Sequence, residues 1–177
     1  MGTNAKTTLN IGCGFSRMVG AVNMDISASC HPDLQWDIAA VPWPLKSASF
    51  DKVNAFHIME HLPDFWPAFE ECARVLRVGG KLEIRTPHAS SDSALTYRDH
   101  YRVFSGNSFH GSIGSGPSTN AWAYEQYNTV PLKLIDQRLV EFKEYAWMAR
   151  WCPRLLHWCA KHLRNFVWEH QFIFERV

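Results

Sequence analysis

The sequence contains no apolar run long enough to cross a membrane. A membrane-spanning helix needs about 18 to 20 consecutive apolar residues, and no such run occurs in the 177 residues. The N-terminal segment, MGTNAKT, lacks the charged and apolar regions of a signal peptide. In addition, Lys6 stands where a myristoylation signal carries Ser or Thr. These absences predict a cytoplasmic protein.

Neither sign of charge is in excess, and the cysteines form no paired motif. Lys and Arg number 18 against 17 Asp and Glu, so the overall field marks neither a nucleic acid nor a membrane as a partner. The five cysteines include no Cys-x-x-Cys pair, which favours reduced thiols. The Cys and His residues between 152 and 162 match no standard zinc spacing, so the sequence predicts no metal site.

Short apolar segments separated by turns are abundant in the first half of the chain. The pattern predicts strands at residues 7–11, 21–24, 50–56 and 81–86. A helix is predicted from Asp64, as N-cap, to Arg77, ending before Gly79–Gly80. This order of elements is typical of an α/β fold with a parallel sheet and crossover connections. At 177 residues the chain predicts a single domain over residues 1–177.

Residues suited to ligand binding follow the predicted strand ends. They are Gly12–Gly14, Asp25, Asp37, Phe56–His57 and Pro87–His88. Ligands of open α/β sheets bind outside the carboxyl ends of the strands. A Gly-x-Gly turn lets the backbone approach a ligand closely, and a carboxylate after the next strand can accept both ribose hydroxyls. The sequence therefore predicts one crevice that these residues share.

Five sequence blocks in a fixed order carry a resemblance to a known family. They are LNIGCG, NMDIS, WDIAAVPW, SFDKVNAFHIMEHL and RVLRVGGKLEIRTPH. Together they resemble the motif series of class I S-adenosylmethionine-dependent methyltransferases, in the group with an FD-x-V-x-x-x-H-x-x-E-H segment. The resemblance covers a cofactor core at residues 8–88 and extends more loosely to about residue 109. It implies a Rossmann-like, mostly parallel sheet with an antiparallel last strand.

The resemblance implies a set of residues that bind S-adenosylmethionine. The set comprises Gly12, Cys13, Gly14, Asp25, Ile26, Asp37, Ile38, Phe56 and His57. Gly12 and Gly14 would lie under the methionine part, with the Cys13 backbone between them. Asp25 would hold the ribose hydroxyls, while Asp37 would accept from the adenine amine and Ile38 would pack on the ring. Phe56 and His57 would line the far wall, near the transferable methyl group.

The sequence departs from the family pattern at its N-terminal end. Asn10 stands where an acidic residue is usual, and only ten residues separate Gly14 from Asp25. The first crossover is therefore predicted to be shortened, as is the segment before the first strand. The third glycine of a dinucleotide-binding G-x-G-x-x-G motif is missing from GCGFSR, which disfavours a NAD-dependent dehydrogenase.

Three histidines are candidates for a catalytic role. Methyl transfer from a sulfonium is an in-line displacement, so a base is needed only when the acceptor is a hydroxyl or a protonated amine. The candidates are His57, His88 and His100, of which we favour His100 because the matching family segment also carries a histidine. In the structural alternative, the rings of His57 and His61 cap the turn after the strand, and Glu60 is a capping or surface carboxylate.

The second half of the chain carries the features that could select an acceptor. Residues 105–119 are rich in Gly and Ser and predict a flexible loop, either a lid or a surface excursion. Residues 130–144 predict strand, and 171–176 alternate like a final strand. Between these strands, residues 145–168 predict a basic, aromatic helical insertion whose helix begins after Pro153.

The basic face of this insertion leaves several functions open. Arg154, Lys161 and Arg164 fall on one helical face, with apolar residues that include Leu155 and Leu163 on the other. The basic face could contact an anionic acceptor or nucleic acid, lie on an anionic membrane surface, or cover the substrate pocket. Alternatively, the helix packs on the domain and its basic side is merely solvated.

The resulting hypothesis is methyl transfer to a small-molecule, sugar-like or lipid-linked acceptor. One alternative is a nucleic-acid methyltransferase that uses the basic helix, although no adenine- or cytosine-methylase tetrapeptide such as DPPY is present. Another is a catalytically silent S-adenosylmethionine-binding partner or regulatory protein. The sequence indicates no oligomeric state.

Overall fold

A computed structural model of the chain describes residues 7–109 and 130–177. The described residues form one seven-stranded sheet with helices packed against it. The strands are β1 (Thr8–Ile11), β2 (Val22–Asp25), β3 (Leu34–Gln35), β4 (Phe50–Phe56), β5 (Leu76–Pro87), β6 (Leu132–Glu141) and β7 (Val167–Arg176). The helices are α1 (Trp66–Val75), α2 (Ser93–Thr96), α3 (Ala146–Trp151) and α4 (Pro153–His162).

The sheet has the strand order β3-β2-β1-β4-β5-β7-β6. Strands β1 to β5 pair in parallel, and β7 runs antiparallel to both of its neighbours, β5 and β6. The predicted fold, a mostly parallel sheet with an antiparallel last strand, is confirmed. The order in which strands are added to the sheet changes at β1. The chain passes from β1 through β2 to β3 at one edge, and then returns to β4 on the other side of β1. The carboxyl ends of β1 and β4, which flank this switch point, therefore border one crevice.

The connection from β1 to β2 is short and is held by side-chain hydrogen bonds. Asn10 Nδ2 donates to Asn23 Oδ1 at 3.0 Å and to the Ser16 carbonyl at 3.3 Å. Asn23 Oδ1 also accepts from the Met18 backbone N–H at 2.8 Å. Asn10 and Asn23 are both almost fully buried, so each amide needs these partners. Asn10, which departs from the family pattern, thus ties down the glycine turn.

Helix α1 is shorter than predicted at both ends. Asp64 Oδ1 accepts from the Trp66 backbone N–H at 3.1 Å, but the N-cap position belongs to Phe65. At the other end the chain is already extended at Leu76, where β5 begins beside Phe50 of β4. Gly79–Gly80 therefore lie within β5, and their predicted role as the helix end is wrong. Strand pairing overrides the local signal of the two glycines.

The main core lies between the sheet and α1 and is rich in aromatic rings. Phe69 of α1 lies 5.2 Å from the Phe174 ring and 5.5 Å from the Phe109 ring, centroid to centroid. Phe109 belongs to the segment predicted as a flexible loop, yet only 1% of it is exposed. Residues 110–119 of that predicted loop lie outside the described residues. The start of the segment is thus anchored in the core.

The helical insertion lies between β6 and β7. The predicted helix after Pro153 is present as α4, but α3 precedes it, and β7 already begins at Val167. The insertion has its own small core around Met148, Leu156, Cys159, Ala160 and Val167. Leu155 and Leu163 are not part of it and are 46% and 43% exposed. The predicted apolar face is wrong at these two positions, because α4 turns Leu155 outward and ends at His162.

Within residues 7–109 and 130–177, no helix combines the length and apolar content that a membrane span requires.

Candidate active site

The turn after β1 brings backbone donors to the edge of the sheet. Gly12 and Gly14 have φ angles of +57° and +48°, a region that glycine enters at little cost. A Cβ on Gly12 would overlap Ile58, lying 2.8 Å from its Cβ, whereas a Cβ on Gly14 would meet no atom within 4 Å. Gly12 therefore makes room for protein, and only Gly14 borders open space in which a ligand could lie.

Asp25 ends β2 opposite this turn with both of its carboxylate oxygens oriented. Oδ2 accepts from the Gly14 backbone N–H at 2.7 Å, and Oδ1 accepts from the Ser27 backbone N–H at 2.8 Å. Asp25 is 9% exposed, so rotation of its carboxylate would break buried hydrogen bonds. Each oxygen retains lone-pair capacity, which suits a pair of vicinal hydroxyls.

The residues predicted to surround the adenine lie nearby in different environments. The Trp36 backbone N–H donates to the Asp25 carbonyl at 2.9 Å, which holds the segment after β3 against the end of β2. Ile26 is 62% exposed and presents an apolar surface, whereas Ile38 is 6% exposed and belongs to the core. The exposed Asp37 accepts from the Ala39 backbone N–H at 2.9 Å.

His57 follows β4 and lies between two buried carboxylates. Its Nε2 is 2.8 Å from Glu169 Oε2, and its Nδ1 is 3.5 Å from Glu60 Oε1. Glu60 and Glu169 are 1% and 3% exposed. The hydrogen bond to Glu169, followed by the interaction with Glu60, raises the pKa of His57 to about 9 against the opposing effect of burial. His57 is therefore an imidazolium at neutral pH.

The alternative predicted for this turn is wrong in two respects. The His57 ring does not cap the turn but reaches β7, where it contacts Glu169 and stacks on Trp168 with centroids 5.8 Å apart. Glu60 is a buried residue and not a surface carboxylate. The ring of Phe56, the other predicted wall residue, is covered on one face by the guanidinium of Arg85, whose central carbon lies 4.1 Å from the ring centroid.

His88 lies at the end of β5 and is 7% exposed. Burial, followed by the nearby charge of His157, lowers its pKa, so the ring is neutral at neutral pH. Its Nδ1 accepts from the Ser90 backbone N–H at 3.1 Å. Since an accepting nitrogen carries no proton, the proton of the neutral ring lies on Nε2. The His88 side chain thus presents an N–H donor.

In His100 the proton and the lone pair are on the opposite ring nitrogens to those in His88. Its Nδ1 is 3.4 Å from the carbonyl oxygen of Ala94, which can only accept a hydrogen bond. A neutral His100 in this contact carries its proton on Nδ1 and leaves Nε2 with a free lone pair. Its ring packs edge-on against His61, with centroids 4.7 Å apart, so the segment after α2 brings His100 beside the histidine that follows β4.

The contribution of β7 to the site is not among the predictions made from the sequence. Trp168 is the last residue of the predicted helical insertion, and Glu169 and His170 lie between that insertion and the predicted final strand. In the structure they are the second to fourth residues of β7. Buried residues alternate at His170, Phe172 and Phe174, so the period of two extends back to His170, and this was the available signal for a longer strand. A carboxylate in such a strand indicates a buried partner, which here is His57.

The charged state of His57 predicts a pH-dependent stability. Its folded pKa of about 9 lies above the ordinary histidine pKa of 6.5, so its contribution to stability is complete below pH 6.5 and is lost as the pH rises to 9. We expect this loss to be about 1 kcal/mol, because the His57 side chain is 39% exposed and solvent screens the pairs. Urea unfolding at pH 6.5 and 9 measures it.

His57→Gln should remove this part of the pH dependence, and His162→Gln is the control because His162 is exposed and outside the cluster. If the free energy of unfolding changes equally with pH in the wild type and in His57→Gln, the assignment of a stabilising charge to His57 is contradicted.

Comparisons with known proteins relate this chain to methyltransferases. A family model described as a methyltransferase domain matches residues 9–84. A protein of Mycobacterium tuberculosis described as a probable S-adenosylmethionine-dependent methyltransferase is 35% identical over 102 residues, which cover 48% of this chain and 36% of that protein. A 27-O-demethylrifamycin SV methyltransferase from Amycolatopsis mediterranei is 44% identical over 48 residues, covering 27% of this chain and 17% of that protein.

The match to the mycobacterial relative thus spans about a third of that protein's length, 36%. Among solved structures, a SAM-dependent methyltransferase from Archaeoglobus fulgidus superimposes with a TM-score of 0.66 over 96% of this chain and 85% of that chain. At 13% identity, this likeness concerns the fold alone.

Proposed function

Because residues 9–84 match the model of a methyltransferase domain family, we propose that the protein transfers a methyl group from S-adenosylmethionine to a small-molecule acceptor. The family predicted from the sequence motifs is confirmed, and with it the enzyme class and the cofactor. The observation that carries the proposal is the oriented Asp25 carboxylate, which faces the Gly12–Gly14 turn at the carboxyl edge of the sheet.

The residues at the carboxyl ends of β1 and β2 suit the polarity of the cofactor. Gly14 borders open space, Asp25 offers two oriented oxygens, and Ile26 exposes an apolar side chain beside them. We infer that Asp25 accepts the ribose hydroxyls, that Ile26 contacts the adenosine part and that Asp37 accepts from the adenine amine. When bound, S-adenosylmethionine supplies an electrophilic methyl group on a sulfonium.

The three candidate histidines differ in the proton that each can give or take. His57, with a pKa raised to about 9, holds its proton between Glu169 and Glu60, so we assign it a positioning role. His88 presents an N–H and orients an acceptor by hydrogen bonding. His100, with a free Nε2 lone pair, is the candidate base for an acceptor hydroxyl. An acceptor that needs no deprotonation relies on positioning and desolvation instead.

Nucleic acid is the weaker candidate acceptor because the basic residues do not form one free face. Arg164 lies beyond the end of α4, and its guanidinium is 2.5 Å from Asp92. Arg154 and Lys161 remain as phosphate contacts on α4, and two contacts supply little of the electrostatic affinity that nucleic-acid binding requires.

A labelled-methyl assay tests the proposed activity. The full-length chain and Asp25→Asn would be incubated with methyl-labelled S-adenosylmethionine and, in separate arms, a small-metabolite extract, transfer RNA, duplex DNA and anionic phospholipid vesicles. We expect the wild type to label the small-metabolite arm and Asp25→Asn to leave that arm unlabelled. Label in either nucleic-acid arm supports the nucleic-acid alternative, and label in the vesicle arm supports a lipid acceptor. S-adenosylmethionine binding without transfer in any arm supports a catalytically silent protein.

A further inference from the structure

A cavity of about 770 Å³ lies at His88, just after the end of β5, next to the insertion. Its walls come from the end of β5, residues 105–107, β6, β7 and α4. His88 lines the cavity, and its backbone N–H donates to the Trp168 carbonyl at 3.0 Å. The Trp168 ring in turn stacks on His57. The cavity is thus joined by two direct contacts to the turn after β4, where the far wall of the crevice lies.

The polar lining of the cavity is basic. Lys161, His157, His162 and Arg164 line it, and the lining residues that the structure describes include no Asp or Glu. The charge of Arg164 is balanced by Asp92 at 2.5 Å, outside the cavity. Lys161, in contrast, forms no ion pair with any residue in 7–109 or 130–177. Its ammonium therefore gives the cavity a positive charge that favours an anion.

Two buried histidines add neutral hydrogen-bonding groups to the same lining. His88 presents its Nε2–H, since Nδ1 accepts from Ser90. His170 is 3% exposed, and its Nδ1 has no hydrogen-bond partner among the described residues. Burial, followed by the neighbouring His88 and His157, lowers the pKa of His170 to about 3, so its ring is neutral. A buried polar atom without a partner is costly, and the His170 ring adds such a polar group to the cavity lining.

The remaining walls of the cavity are apolar. Leu139 of β6 faces it from one side, while Leu156 and Ala160 of α4 line it from another. Leu156 and Ala160 are 5% and 4% exposed, so they form a fixed surface. A ligand that fills this cavity therefore needs an apolar body as well as a charged group.

We propose that the cavity binds an amphipathic anion, which places a carboxylate or phosphate group at Lys161 and His88 and an apolar body against Leu139, Leu156 and Ala160. The position of the cavity, joined to His57 through Trp168, makes this anion the methyl acceptor. The acceptor role rests on the proposed methyl transfer, whereas binding of the anion does not.

Calorimetry on the full-length chain tests the binding, with four six-carbon probes and inorganic phosphate. Hexyl phosphate and hexanoate carry the anion, 1-hexanol carries the same body without charge, and hexylammonium carries the opposite charge. We expect hexyl phosphate or hexanoate to bind at least tenfold more tightly than hexanol, hexylammonium and inorganic phosphate. The tighter of the two anions identifies the head group.

Lys161→Gln should weaken binding of the tighter anion about tenfold, because a charge-assisted hydrogen bond is lost. Arg154→Gln is the matched control, since Arg154 is exposed on the same helix but does not line the cavity. It should change the affinity less than twofold. Thermal unfolding of both variants verifies that α4 remains folded.

Equal binding of hexylammonium and the two anions, or equal affinity in Lys161→Gln and the wild type, would overturn the inference. Titration of the same samples with S-adenosylmethionine separates this failure from that of the proposed function. If the wild type binds S-adenosylmethionine but not the anionic probes, the proposed cavity ligand alone is rejected. If the wild type binds the anionic probes but not S-adenosylmethionine, the proposed methyl transfer alone is rejected.

Discussion

Asp25→Asn is expected to weaken S-adenosylmethionine binding about 100-fold. The Asp25 carboxylate accepts from two backbone N–H groups at once. An asparagine in its place must turn its own NH₂ group toward one of these donors, which loses one hydrogen bond and the negative charge. The ribose hydroxyls then lose a charged acceptor, and hydrogen bonds to charged groups contribute about 1.5 to 3 kcal/mol each. Two weakened bonds correspond to about two orders of magnitude in Kd.

The measurement is calorimetric titration of wild type and variant with S-adenosylmethionine and with its demethylated product. Asp51→Asn provides the matched control, because it makes the same change at an exposed residue whose side chain pairs with Arg77 at the surface. The control should bind like the wild type. An affinity of Asp25→Asn within threefold of the wild type would mean that Asp25 does not hold the ribose, and the placement of the cofactor would have to be revised.

Gly12→Ala is expected to lower the free energy of unfolding by about 3 kcal/mol. The added Cβ would overlap Cγ1 of Ile58 and lie 2.8 Å from its Cβ. Overpacking of this kind costs about 1 to 3 kcal/mol, and a residue with a Cβ at a φ of +57° costs roughly 1 to 2 kcal/mol more. Because Ile58 follows β4, the strain would also displace the turn that contains His57. Urea unfolding measures the loss.

Gly14→Ala separates a role in stability from a role in binding. Its φ of +48° carries a similar backbone cost, but its Cβ would meet no protein atom within 4 Å. We therefore expect a loss of about 1 kcal/mol in stability together with weaker cofactor binding, because the methyl group enters the space proposed for the methionine part. Equal stability losses in the two variants would contradict the distinct roles assigned to these glycines.

The sequence by itself determined the parts of the fold that depend on local signals. Strands β1, β2 and β4 and the Gly12–Gly14 turn lie where the pattern of apolar residues and glycines places them. Asp25 ends β2 as predicted. It lies at the same edge of the sheet as the Gly12–Gly14 turn, because the carboxyl ends of parallel strands meet at one edge. The family resemblance added the mostly parallel sheet with an antiparallel last strand, which the structure confirms.

Local signals were misleading where pairing with a distant segment decided the conformation. The two glycines 79 and 80 are typical of a helix end, but β5 already pairs with β4 from Leu76 onward. In the same way, the helical pattern of the insertion extends past His162, whereas α4 ends there and β7 begins at Val167. Backbone hydrogen bonds to neighbouring strands stabilise these extended segments more than helix propensity stabilises the alternative.

Only the tertiary structure decided the electrostatics of the candidate site. His57 and Glu169 are separated by 112 positions in the sequence, and no local pattern indicates that they are in contact. Their contact raises the pKa of His57 to about 9 and changes a candidate base into a fixed charge. The basic cavity likewise arises because β7 and α4 pack against the end of β5. The sequence thus determined the crevice proposed for the cofactor, whereas long-range packing decided which groups line the cavity proposed for the acceptor.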